Sequence, residues 1–94
     1  MKKTSYQKEL SIANTQKING ENNNKTDIMK IQSWLSLYSI RSPQSGTATS
    51  IDGDFGPATE RAVKNFQNSI NVSASGIVTQ QLFDKMCEGM KEAF

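Results

Sequence analysis

The chain contains no histidine and a single cysteine, Cys87. A Ser–His or Cys–His catalytic pair cannot be assembled from its own residues. Nor can the His and Cys ligand sets that hold zinc, or an intramolecular disulfide. Aromatic residues make up only 7% and hydrophobic residues 35% of the chain, so the core is thin. No apolar run approaches the ~18 residues that span a bilayer. Met1-Lys2-Lys3-Thr4-Ser5-Tyr6 begins with two lysines, but the apolar stretch of a secretory signal does not follow. An excess of one charge is missing too. Eleven basic and nine acidic residues leave +2, too little for the electrostatic footprint of a nucleic-acid binder. That excess lies in residues 1–26, where five lysines face two glutamates, while residues 27–94 carry −1.

Ninety-four residues allow one small domain. Residues 1–26 are polar and rich in Asn, Lys, Ser and Thr, and Asn19-Gly20-Glu21-Asn22-Asn23-Asn24 is a loop signal. The composition predicts a flexible N-terminal segment over 1–26, with a short docked helix as the alternative, and a folded domain over 27–94. Thr26 or Asp27 can cap a first helix of about 12 residues, whose apolar face is Ile28, Ile31, Leu35 and Tyr38. A loop over 39–50 follows. Asp52-Gly53 then gives a tight turn. Gly56 as N-cap and Pro57 at the first position start a second helix, with Ala62, Val63, Phe66 and Ile70 on its apolar face. After the break at 71–76, Thr79 can cap a third helix, striped by Leu82, Phe83, Met86 and Met90. The fold class is therefore all-α, three short amphipathic helices with two structured loops. A faint echo runs through it: Gly53, Phe55 and a helix start recur as Gly76, Val78 and a helix start.

Asp52, Asp54 and Glu60 form the one close carboxylate cluster. An EF-hand loop counted from Asp52 needs Gly at its sixth place and Glu at its twelfth. Those places hold Pro57 and Val63, so a calcium site fails. Glycoside hydrolysis would need a deep cleft and one carboxylic acid in a dry pocket, which three small helices do not readily supply. The plainer reading is that Asp52 and Asp54 fold the turn by accepting from nearby backbone N–H groups. No catalytic residue, metal site or cofactor is implied.

The run Ile28-x-x-Ile31-Gln32-x-x-Leu35, then Asp52-Gly53-Asp54-Phe55-Gly56-Pro57-Ala58-Thr59-Glu60-Arg61-Ala62-Val63-Lys64-Asn65-Phe66-Gln67, then Ser75-Gly76-Ile77-Val78, resembles the peptidoglycan-binding domain family. This small three-helix cell-wall module is often attached to lysins and amidases. The resemblance implies core positions at Ile28, Ile31, Leu35, Ala62, Val63 and Phe66. It implies an apolar plug at Phe55, a helix start at Gly56-Pro57, and Gln32 and Gln67 tying loop backbone to helix. Thr59 and Gly76 belong to the same motif. Where the family usually carries a second Asp-Gly and then Gly-Pro-x-Thr, this chain has Ser75-Gly76-Ile77-Val78-Thr79.

The implied function is a non-catalytic module that targets an attached or associated enzyme, toxin, or phage or secretion machine to bacterial peptidoglycan. Met1 without a signal implies synthesis in the cytoplasm and action at the wall after release or injection. The alternative is a protein–protein interaction or structural domain that has kept the fold and lost wall binding. Peptidoglycan presents sugar hydroxyls, carboxylates and a stem-peptide amine, so a ligand rim needs an aromatic face, an acceptor and a basic group. Tyr38, Arg41, Asp52, Asp54 and Arg61 are the candidates. Each has a plainer reading as well. Tyr38 falls on the apolar stripe with its hydroxyl at the edge, and Arg61 lies on a solvated helix face. Trp34 is half-buried or a stacking platform, and Cys87 is a small apolar filler.

Overall fold

Among the described residues, three α-helices form where the apolar spacing places them: α1 (Lys25–Arg41), α2 (Pro57–Ser69) and α3 (Gln80–Lys91). The computed structural model describes residues 11–91, with side chains through Glu88. Helix α1 packs against both α2 and α3. The core is where their stripes meet: Ile31, Leu35, Val63, Phe66, Phe83 and Met86 are each no more than 2% exposed. Burying one such side chain is worth about 1.5–3 kcal/mol, and the loops add Phe55 and Val78 to the same cluster. Met90 of the expected third stripe lies outside the described side chains.

The helix starts differ in one place from the sequence expectation. Helix α1 is 17 residues long and begins after Asn24 rather than at a Thr26 or Asp27 cap. Asn24 Oδ1 accepts from the Asp27 amide at 2.8 Å, satisfying one of the orphan donors of the first turn. Asp27 is instead a buried first-turn carboxylate. Its Oδ2 accepts from Asn24 Nδ2 at 2.7 Å and from the Ala13 amide at 2.8 Å. Helix α2 starts as expected, with Gly56 as N-cap and Pro57 at its first position. Thr79 caps α3, its Oγ1 accepting from the Leu82 amide at 3.2 Å. The loop expected over 39–50 is shorter at its start, because α1 continues to Arg41. A 3-10 turn at Pro43–Ser45 follows. The loop folds inward so that Thr47 is fully buried and donates from Oγ1 to the Leu35 carbonyl at 3.0 Å.

Of the flexible segment expected over 1–26, residues 1–10 lie outside the described residues, and residues 11–24 are docked on the helices as a strap. The strap is not helical. Gln16 pairs with Val78 in an antiparallel bridge, with N–H···O distances of 3.0 and 2.8 Å. The Gln16 side chain is fully buried. Its Nε2 donates to the Asn14 and Asn22 carbonyls, and its Oε1 accepts from the Asn24 amide. Ile12 and Ile18 pack against the core. A polar composition forecasts disorder when nothing satisfies the backbone. Here Gln16, Asn23, Asn24 and Asp27 satisfy it, and two isoleucines suffice to seat the segment.

Candidate functional site

The resemblance between the two halves of the chain is physical. In the first half, the buried Gln32 of α1 clamps the glycine turn. Its Oε1 accepts from the Asp52 and Gly53 amides at 3.0 and 2.9 Å. Its Nε2 donates to Asp52 Oδ1, the Asp54 carbonyl and Thr59 Oγ1 at 2.9 to 3.0 Å. In the second half, Gln67 of α2 does the same. Oε1 accepts from the Gly76 amide at 2.9 Å and Nε2 donates to Ser75 Oγ at 3.0 Å. Asp52 Oδ1 accepts from the Asp54 amide, and Ser75 Oγ accepts from the Ile77 amide in the equivalent place. Both turn glycines are buried and left-handed, with φ of +79° at Gly53 and +76° at Gly76. An L side chain is strained there. A Cβ would also press on Lys25 Cγ in the first turn and on Glu60 Cγ at 2.9 Å in the second.

The rim residues named from sequence fall into separate places. Asp52 and Asp54 sit on the first glycine turn, beside the middle of α1 and the start of α2. The Asp54 amide, then the Gln32 side chain, hold the Asp52 carboxyl below its ordinary value, so it is an anion that folds the turn rather than an acid. Asp54 is exposed. Tyr38 lies six residues beyond Gln32, about 9 Å further along α1. Its ring meets Phe66 edge-on at 5.1 Å and its hydroxyl reaches Ser69 Oγ at 3.2 Å. It is thus both a core residue and an edge hydroxyl. Arg41 is exposed in the last turn of α1, and Arg61 is exposed on α2. Asp52 and Asp54 are together; no contact joins them to Tyr38. Trp34 is half-buried against the core and Cys87 is buried.

A concavity lies elsewhere. An open groove of about 940 Å³ runs between the loop after α2 and the outer face of α3. Its apolar part is Ile70, Val72, Ile77 and Leu82, and Gln81, Asp84, Lys85 and Glu88 edge it along α3. None of the five rim residues lines it. It escaped the sequence reading because its wall residues were assigned separately to helix stripes and to the second turn, and no local pattern joins them. The available signal was the pairing of Val72 and Ile77 with serines in a loop. Among the described residues, no group of three or more Cys, Asp or Glu side chains is placed to hold a metal ion. Among them too, no helix is long and apolar enough to cross a membrane.

The family model for a peptidoglycan binding domain matches residues 24–86. That span takes in α1, both glycine turns, α2 and the start of α3, and leaves the strap before Asn24 outside. A curated relative is the zinc D-Ala-D-Ala carboxypeptidase of Streptomyces albus G, 43% identical over 44 residues. The match covers 47% of this chain and 17% of the enzyme, less than a fifth of its length. No solved structure matches the chain.

Proposed function

Because the chain belongs to the peptidoglycan-binding domain family, we propose that it is a non-catalytic module that binds peptidoglycan and holds an attached or associated partner at the wall. The observation that carries this reading is the extent of the family match, which takes in both glycine turns and the helices they join. The relative supports it in kind, since there the similar stretch is a small part of an enzyme whose name refers to D-Ala-D-Ala. The partner is an enzyme, a toxin, or a phage or secretion machine.

The chemistry of the turns supports a binding rather than a hydrolytic role. A glycosidase or peptidase acid must be able to carry a proton near neutral pH. Asp52 is held ionised by the Asp54 amide and the Gln32 side chain. With no histidine in the chain, no imidazole base is at hand. A single site on so small a module binds weakly, so the module works by raising the local concentration of what it carries.

The test is co-sedimentation of the purified chain with intact sacculi at 50 and 300 mM salt, with muropeptide release followed in the same tube. The chain pellets at both salts and releases nothing. Pelleting lost at the higher salt would assign the binding to lysines on an acidic wall. A chain in the supernatant at both salts would overturn the reading and favour the protein-interaction alternative.

A further inference from the structure

We infer that the groove between the loop after α2 and the outer face of α3 is a peptide subsite, which takes the stem peptide of peptidoglycan rather than its glycan strand. The inference rests on the wall-binding reading and says where and what the module binds.

The groove exists because the two halves of the chain end differently. Helix α1 runs from Gln32 on to Arg41, and the loop that follows folds back, burying Thr47 on the Leu35 carbonyl. Asn65 donates to the Gly46 carbonyl at 2.8 Å and closes that side. Helix α2 stops at Ser69, two residues past Gln67. The short loop to Ser75 has no segment to fold inward, and the space beside α3 stays open. Its volume of about 940 Å³ is at the upper end of the roughly 300–1,000 Å³ of ligand clefts.

The lining selects a ligand class. Among the described residues, no aromatic ring lines the groove. Trp34 and Tyr38 are packed against the core, and Phe55, Phe66 and Phe83 are buried in it. A sugar ring would find no flat face to lie on. What the groove offers is branched aliphatic surface with charge of both signs beside it. Val72 is 43% exposed, and Ile70 and Ile77 are half-buried. Along α3, Asp84 and Glu88 flank Lys85, and the Gln81 amide and Ser73 hydroxyl are free to pair with peptide groups.

A short peptide with alanine methyls, free carboxylates and a diamino-acid amine is complementary to that set. Lys85 takes a carboxylate, Asp84 and Glu88 take the amine, and the methyls lie on Val72 and Ile77. The Lys85–Glu88 ion pair spans 3.6 Å with both side chains more than 60% exposed. Such a pair is worth little, so both groups can re-pair with a ligand at small cost.

The experiment is a titration of the isotope-labelled full chain by NMR. One arm adds the stem tetrapeptide L-Ala-γ-D-Glu-meso-diaminopimelate-D-Ala, and a second adds chitotetraose as the glycan probe. Sacculus pelleting is run alongside. The tetrapeptide shifts the amides of Ile77, Gln81 and Lys85 saturably, and chitotetraose does not. Lys85→Glu weakens the peptide at least tenfold with an unchanged fold by circular dichroism. Gln81→Arg, which crowds the groove from an exposed position, weakens it too, and Asp54→Ala changes it less than twofold. Peptide shifts centred on Asp52, Asp54 and Arg61 would overturn the groove assignment while leaving the wall-binding reading intact. So would a response to chitotetraose alone, or pelleting on sacculi with no response to either probe. No response and no pelleting would take down both.

Discussion

Gln32 is fully buried and makes five hydrogen bonds to the turn it faces. An apolar side chain of similar size would fill the same space and leave the Asp52 and Gly53 amides without an acceptor. Each buried donor left unpaired costs about 1–3 kcal/mol. Gln32→Leu is therefore expected to lower stability by about 2–4 kcal/mol, read from the urea midpoint. A loss within about 0.5 kcal/mol would mean that water can enter the turn and replace the amide. The two glutamines were legible in the sequence as ties between helix and loop through the family resemblance, each directly after an apolar helix position, Ile31 and Phe66. The partners of Gln16 were not legible. Nothing in a polar stretch says that its amide faces inward, and burial depends on what lies above it.

At the level of elements, the strap over 11–24 changes how the domain is bounded. It caps α1 through Asn24, receives Asp27 on its Ala13 amide, and pairs Gln16 with Val78 at the start of α3. Ile12 also donates its amide to Gln80 Oε1 at 3.0 Å. Removing residues 1–23 exposes Val78 and breaks the bonds made by Ile12, Ala13 and Gln16, while the Asn24 cap stays. With two half-buried isoleucines lost as well, the truncated chain is expected to be less stable by about 2 kcal/mol or more. Thermal melts of the full and the truncated chain decide this. Equal melting temperatures would show that the strap adds no stability. The helices themselves were readable, since i, i+3, i+4 spacing and the Gly56-Pro57 and Thr79 caps are local signals. Only the first cap was misplaced, by two to three residues, because Asn24, Thr26 and Asp27 can each cap and the strap's bonds to Asp27 decide among them.

At the scale of the whole molecule, the described residues share one core, in which Trp34 packs from α1 and Cys87 from α3. A single shared core predicts cooperative unfolding. Trp34 fluorescence, far-UV circular dichroism and labelling of the Cys87 thiol should give one common denaturant midpoint. An earlier midpoint for thiol labelling would mean that α3 opens on its own, and with it the groove.

What depends on near neighbours could be read along the chain. Apolar spacing set three helices, Pro57 and the glycines set where the chain turns, and the long ordered run from Asp52 to Gln67 carried the family. Tertiary structure alone decided three further things. The strap docks because distant groups meet the needs of Gln16. The rim divides because Gln32 draws Asp52 to the middle of α1, while Tyr38 goes on to Phe66 and Ser69. The groove forms because α2 stops short and no described residue folds into the space beside α3. A cavity is a relation among residues that do not fill it, and no local pattern records that.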